Sequence, residues 1–293
     1  MLRRQRTLLN LLDTAGRSVS ATQLQKYLFL LRQETFLESD SAFYDFLPYR
    51  FGPFSFSAHR ETGALIDYGY IQSSKSGSTT CLTVTSLGAK EAAAVDSDTT
   101  RAIRFVLTKS GNASARDLMK DVYKRYSWFA SNSEYTELVP SDGQKSKTAK
   151  PAVYTMGYED RSVDGFFNRL LFEGIRTIID VRANPVSRKF GFARSSLSNI
   201  ASKLDVEYVH VPELGITSER RKSAETASDF RQLFRYYESQ ILPEHRNEVD
   251  TVASRMMASP SVLICMEREA VDCHRGRLAQ RISELTGLAI VHL

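Results

Sequence analysis

Apolar positions recur every three to four residues in the opening segment. Leu2, Leu8, Leu9, Leu11 and Leu12 share one face over residues 2–14, and Leu24, Tyr27, Leu28 and Leu31 share another over residues 21–34. Each spacing predicts an amphipathic helix. Ser20 precedes the second run and can cap it, because its hydroxyl accepts a hydrogen bond from an orphan amide of the first turn. Tyr49-Arg50-Phe51-Gly52-Pro53 reads as a turn before a third helix over residues 55–68. The period then changes. Tyr70-Ile71-Gln72 and Thr80-Cys81-Leu82-Thr83-Val84-Thr85 flank a Ser/Gly stretch, which predicts a β-hairpin. Further helices are expected from Gly88, over 99–108 and over 113–126.

Residues 140–150 hold no large apolar side chain and read as a linker between a domain over 1–139 and a second over 151–293. Past the linker, short apolar runs at 153–156, 177–181, 207–211, 262–265 and 289–293 alternate with helical patterns over 162–173, 195–204, 226–240, 244–258 and after Arg275. Strands alternating with helices of about 10–15 residues predict a parallel sheet covered on both faces. In the first half, three helices followed by a hairpin is the order of a winged helix-turn-helix. Residues 5–95, with Leu24-Gln25-Lys26, Phe51-Gly52-Pro53, Gly69-Tyr70-Ile71 and Leu82-Thr83, resemble winged-helix regulators and antitoxin-like domains. The expected fold class is α/β: an N-terminal winged helix-turn-helix of α+β type, with a helical extension, followed by a parallel-sheet α/β domain.

Composition narrows the function classes only a little. The chain has 293 residues, 42% hydrophobic and 25% charged, as in ordinary globular proteins. A formal charge of +5 permits a polyanionic partner without requiring one. No apolar run approaches about 18 residues, so no membrane span is expected. The basic N-terminus leads into a helical pattern broken by Asp13, with no small-residue cleavage site, and does not read as a secretory signal. Three cysteines make no disulfide framework, which fits a reducing cytoplasm.

Candidate chemistry gathers where strands end. The apolar run up to Ile264 meets Cys265-Met266-Glu267-Arg268-Glu269 and then Cys273-His274-Arg275 at a helix start. Ligands of open α/β sheets bind outside the carboxyl ends of strands. Asp180, at another strand end, is a candidate for acid–base work with Glu267; its alternative is a cap or a salt bridge to Arg182. Cys265 is a candidate nucleophile or a small buried residue. His274 and Arg275 at the helix start, with Arg182, suggest a phosphate site. Phe190 and Phe192, interleaved with Arg188, Lys189 and Arg194, suit stacking of a base. Glu213 ends a third strand and is expected at the same edge, whereas Glu219-Arg220-Arg221-Lys222 reads as a solvated loop. Seven residues separate Cys265 from Cys273, a spacing of no common zinc site, and the adjacent Cys273 and His274 are awkward tetrahedral ligands. No metal and no cofactor is therefore assigned. In the first half the third helix would offer Ser55, Ser57, His59 and Arg60 to DNA, with Lys75 on the wing.

Four segments also carry a family likeness. Tyr154-Thr155-Met156-Gly157-Tyr158, Ile179-Asp180-Val181-Arg182 with Pro185, His210-Val211-Pro212-Glu213-Leu214-Gly215 and Cys265-x-Glu267 with Cys273-His274-Arg275 resemble the domain of unknown function 488 family over residues 152–293. The resemblance implies an α/β fold and a shared pocket that includes Tyr158, a position where many relatives carry His, and brings no activity with it. Ile179-Asp180-Val181-Arg182 also resembles rhodanese-like domains, although those carry a Cys-initiated anion loop that the Cys-x-Glu context lacks.

The reading that joins the two halves is a nucleic-acid-directed enzyme. The winged helix holds DNA, and the second domain acts on a nucleotide or flipped base, by N-glycosidic hydrolysis in a DNA-repair or phage-defence setting. Two alternatives stand beside it. One is a regulator that senses a nucleotide or modified base without catalysis; the other is a thiol enzyme of rhodanese type. Self-association is compatible with each.

Overall fold

The computed structural model describes residues 1–141, 143, 147–222 and 226–293. Part of the expected linker, residues 142 and 144–146, lies outside the described residues. The chain divides into two compact units, Met1–Lys145 and Ser146–Leu293. No helix among the described residues is long and apolar enough to cross a membrane.

The first unit runs α1 (Arg3–Ala15), β1 (Val19–Ser20), α2 (Ala21–Glu34), β2 (Leu47–Tyr49), β3 (Gly52–Phe54), α3 (Phe56–Asp67), β4 (Ile71–Ser76), β5 (Thr79–Val84), α4 (Ser86–Ala92), α5 (Ser97–Ser110) and α6 (Ala115–Arg125). Ser20 caps α2 as its sequence position requires. Its Oγ accepts from the Gln23 amide at 3.1 Å, and its own amide donates to Gln23 Oε1 at 3.0 Å. The hairpin β4–β5 pairs antiparallel, and β1 joins it on the β5 side. The expected turn at Tyr49–Pro53 is the tip of a second, two-stranded hairpin, β2–β3. Short strands containing Pro48 and Pro53 give no strand signal. The leucines of α1 and α2 pack with Tyr27, Phe29, Tyr44 and Tyr123 into one core.

Polar side chains of α2 clamp the start of α3. Gln25 exchanges hydrogen bonds with the Ser55 backbone, and Lys26 Nζ donates to the Pro53 carbonyl at 2.9 Å. Lys26 is buried, and burial lowers its pKa from 10.5 to about 7. Between those values the unfolded chain binds the extra proton, so the stability of this unit rises as pH rises through that window. Relative to Lys26→Met, the wild type is expected to gain about 2 kcal/mol of unfolding free energy between pH 7 and 9. Urea unfolding followed by Trp128 fluorescence reads this unit, since Trp128 is the chain's one tryptophan. Parallel pH dependences for the two proteins would show that Lys26 is not neutral in the fold.

The second unit runs β6 (Val153–Gly157), α7 (Val163–Phe172), β7 (Thr177–Asp180), α8 (Arg194–Lys203), β8 (Glu207–His210), α9 (Ser218–Lys222), α10 (Ala227–Tyr236), α11 (Leu242–Glu244), α12 (Arg246–Ala258), β9 (Ser261–Cys265), α13 (His274–Thr286) and β10 (Ile290–His292). Its five strands form one parallel sheet in the order β10-β6-β9-β7-β8. Each of β6, β7 and β9 is buried along its full length, as expected of runs with no polar alternation. Because the strands are parallel, their carboxyl ends share one edge, and the register places Gly157 beside Cys265 and Asp180 beside Ile264. Cys265 thus ends the central strand.

Candidate active site

Beyond Cys265 the chain loops through Met266–Asp272 and re-enters the fold as α13, with Cys273 as its N-cap in extended conformation (φ −140°, ψ 142°). This return places three side chains together. Cys265, Cys273 and His274 are all buried, and their ligand atoms lie within 4.8 Å of one another. His274 Nδ1 is 3.9 Å from Cys265 Sγ and 4.0 Å from Cys273 Sγ. Its Nε2 is 2.9 Å from the Val181 carbonyl oxygen, which can only accept, so Nε2 carries a proton and Nδ1 is the nitrogen that faces the sulfurs. The π-helical turn at Tyr237–Ile241 supports the imidazole from outside. There the Tyr237 hydroxyl is tied to the Leu214 carbonyl at 2.8 Å, and its ring lies 5.4 Å from that of His274.

The two thiols differ. The neighbouring Cys273 thiol donates toward Cys265 and lowers its pKa against the opposing effect of burial, helped by the Met266 amide, Arg221 and Arg275. Burial, with that shared proton, pushes Cys273 up to about 12. When Cys265 is protonated, it can instead donate to Glu267 Oε2 at 3.3 Å. The other carboxylate oxygen of Glu267 pairs with Arg221. Asn184, Ile216, Arg221, Tyr158, Cys265 and His274 face a cleft of about 220 Å³ at this sheet edge.

Backbone contacts hold Glu267 in place. Both terminal nitrogens of Arg275 donate to backbone carbonyls, those of Glu267 and Arg268. Gly157 packs against the same loop, and a Cβ there would overlap the Glu267 carbonyl oxygen. Gly157→Ala is expected to cost about 1–3 kcal/mol by overpacking and to displace the loop. Urea unfolding and amide exchange across Met266–Glu269 would measure both effects; unchanged exchange there would refute the displacement.

Several residues take roles other than the expected ones. Asp180 is 0% exposed and fully engaged: Arg182 grips it with Nε at 2.8 Å and Nη2 at 2.6 Å, and the Tyr208 hydroxyl donates at 2.6 Å. No solvent path serves an acid–base role, so the salt-bridge alternative describes it. Arg182 Nη1 donates to the Tyr158 hydroxyl and the Phe192 carbonyl, each at 2.9 Å. With Arg275 buried on carbonyls, the expected two-arginine phosphate site does not form. Phe192 is also sealed, stacked on Tyr158 at 4.3 Å and edge-on to Phe166, so it presents no face to a base; Phe190 is half-buried. Glu213 is exposed in a 3-10 turn and does not face the cleft, although Ile216 from the same segment does. In the first unit Ser55 is buried as the N-cap of α3, its Oγ accepting from the Ala58 amide at 3.1 Å, and is no DNA contact. His59, Arg60 and Lys75 are exposed, and Ser57 is half-buried.

Sequence reasoning missed Arg221, Asn184, Tyr208 and Tyr237. Arg221 sits on the short helix α9 and pairs across the fold with Glu267, a relation that no local pattern encodes.

Residues 162–282 match the family model described as Domain of unknown function DUF488, which covers most of the second unit. No curated protein matches the chain.

Proposed function

We propose that this protein is a nucleic-acid-directed hydrolase whose second unit works on a nucleobase at the cleft beside Cys265, with Glu267 as the proton acceptor and the first unit holding DNA. The observation that carries this reading is the placement of Glu267. Its carboxylate is 12% exposed, stands within 3.3 Å of the central strand-end thiol and is oriented by Arg221, and the adjoining cleft has room for a flat ring. A general base must be open to water and its carboxylate must be held; Glu267 is partly exposed and held by Arg221, whereas Asp180 is held but sealed from solvent. Asn184 at the cleft offers one acceptor and two donors, the complement of a base edge. The setting expected of such an enzyme is DNA repair or phage defence. For the first unit, the support is the exposed His59 and Arg60 on α3 and Lys75 on the β4–β5 hairpin.

The test is incubation of the full chain with duplex and single-stranded oligonucleotides carrying normal and modified bases. Products are read as abasic sites and as altered bases by mass. Turnover on one base class, lost in Glu267→Gln, supports the reading. DNA retention without any turnover across the panel leaves the sensor alternative and removes the hydrolase.

The lowered pKa of Cys265 favours a second reading, thiol chemistry at that sulfur. Stoichiometric capture of a thiol-directed electrophile at Cys265 in the metal-free protein, with Cys265→Ser inactive and Glu267→Gln active, would select it over the first.

A further inference from the structure

We propose that Cys265, Cys273 and His274 bind one zinc ion, with a fourth position open toward the cleft for water. The ligand set and its spacing carry this. Two thiolates and an imidazole suit zinc among biological divalent ions. With Zn–S of about 2.3 Å and Zn–N of about 2.0–2.1 Å, a tetrahedral site brings a sulfur and a nitrogen to about 3.6 Å apart. The observed separations of 3.9 Å and 4.0 Å from His274 Nδ1 to the two sulfurs lie only a few tenths of an ångström outside that value. The tautomer is also the one a metal requires. His274 donates its Nε2 proton to the Val181 carbonyl at 2.9 Å, the outer-shell hydrogen bond that orients metal-bound imidazoles, and in the neutral ring this leaves Nδ1 as the ligand nitrogen.

The adjacency of Cys273 and His274, awkward on a linear chain, is resolved by the fold. Cys273 is extended and His274 opens α13, and this change of backbone conformation turns both side chains to the same side as Cys265. All three ligands are buried, so ligand positions are set by packing against Tyr237 and the end of β9.

Binding of zinc stands apart from any reaction, whereas its use rests on the hydrolase reading. In that use the water on the open position loses a proton to Glu267, whose Oε2 is 3.3 Å from Cys265 Sγ. The hydroxide oxygen would then bond to a ring carbon of the base while the adjacent ring nitrogen takes that proton from Glu267; Glu267 would next carry the hydroxyl proton to the exocyclic amine, which leaves as ammonia, and the carbon keeps the oxygen as a carbonyl. The sum is one water consumed and one ammonia released. A Cys/Cys/His zinc with a nearby non-ligating carboxylate is the arrangement that base deaminases use.

The experiment uses the full chain, stripped with chelator and titrated with Zn²⁺ and, separately, Co²⁺. The expected result is one equivalent bound, with the cobalt form showing sulfur-to-metal charge-transfer absorption and tetrahedral d–d bands. Zinc is expected to protect Cys265 and Cys273 from iodoacetamide at least tenfold while leaving Cys81 labelling unchanged, a readout that needs no variant. His274→Ala is expected to weaken zinc binding at least 100-fold, and Cys81→Ser to leave it unchanged. Absence of a thiolate–cobalt spectrum, or zinc that binds without protecting Cys265 and Cys273, overturns the site. Turnover by the metal-free protein removes the zinc site's part in the reaction while the hydrolase reading stands. A zinc-bound protein inactive on every base keeps the site and removes the hydrolase.

Discussion

Arg182→Met is expected to destabilise the second unit by about 3–5 kcal/mol, the usual result of stranding a buried charge. Asp180 would keep only the Tyr208 hydroxyl and the Arg182 amide as donors, and it has no exposed surface through which water could replace the guanidinium. Hydrogen bonding and charge pairing with Asp180 raise the Arg182 pKa against the cost of burial, so the guanidinium stays charged within the fold. Arg182 also spans strand ends, joining β7 to Tyr158 after β6 and to the Phe192 carbonyl before α8. Its loss therefore loosens the floor of the cleft as well as the ion pair. Removing both charges in Asp180→Asn with Arg182→Met is expected to recover about half or more of the loss, because neutral groups of similar volume are often tolerated at buried pairs. The chain's one tryptophan belongs to the first unit, so unfolding of the second must be followed by amide exchange in Ile178–Asp180. A loss below about 1 kcal/mol would place the pair among ordinary surface bridges.

Glu267→Gln is expected to lower the hydrolytic rate constant by about 10²–10⁴, the range for a removed general base. The exchange is nearly isosteric and leaves the carbonyl grip of Arg275 on the loop intact. Arg221 loses its partner, but at 39% exposure its charge is solvated, so the fold cost should be small. DNA retention and zinc stoichiometry should both persist in this variant. Single-turnover assays separate the outcomes: a change in KM alone would make Glu267 a binding group, and a fall in the rate constant alone makes it the base. If Glu267→Gln lost zinc as well, the carboxylate would be the fourth ligand, and the water position in the scheme would have to be given up.

The geometry also explains why two kinds of residue at the strand ends look alike in sequence and part ways in the fold. Asp180 and Glu267 are both carboxylates just beyond apolar runs. Asp180 has an arginine two residues on, and in the fold that arginine turns back on it; Glu267 has its arginine 46 residues away, on α9. The near pair is neutralised and sealed, while the distant pair stays at the rim. Likewise Phe190 and Phe192 alternate along one loop, yet Phe192 is drawn under Tyr158 and Phe190 is left half-buried. Loop residues follow no fixed period, so which ring turns inward depends on what the neighbouring helix leaves open.

Periodicity was enough to announce the alternation of strands and helices, the parallel five-stranded sheet of the second unit, the cap at Ser20 and the crowding of chemistry around Cys265, since each depends on residues close in the chain. Short proline-containing strands such as β2 and β3 escaped it because their pairing outweighs weak propensity. Roles at the cleft depended on folding. Whether a side chain reacts, binds or supports is set by its partners and by access to water, and Cys265, Cys273 and His274 meet only because a loop and the first turn of α13 carry them back to the end of the central strand.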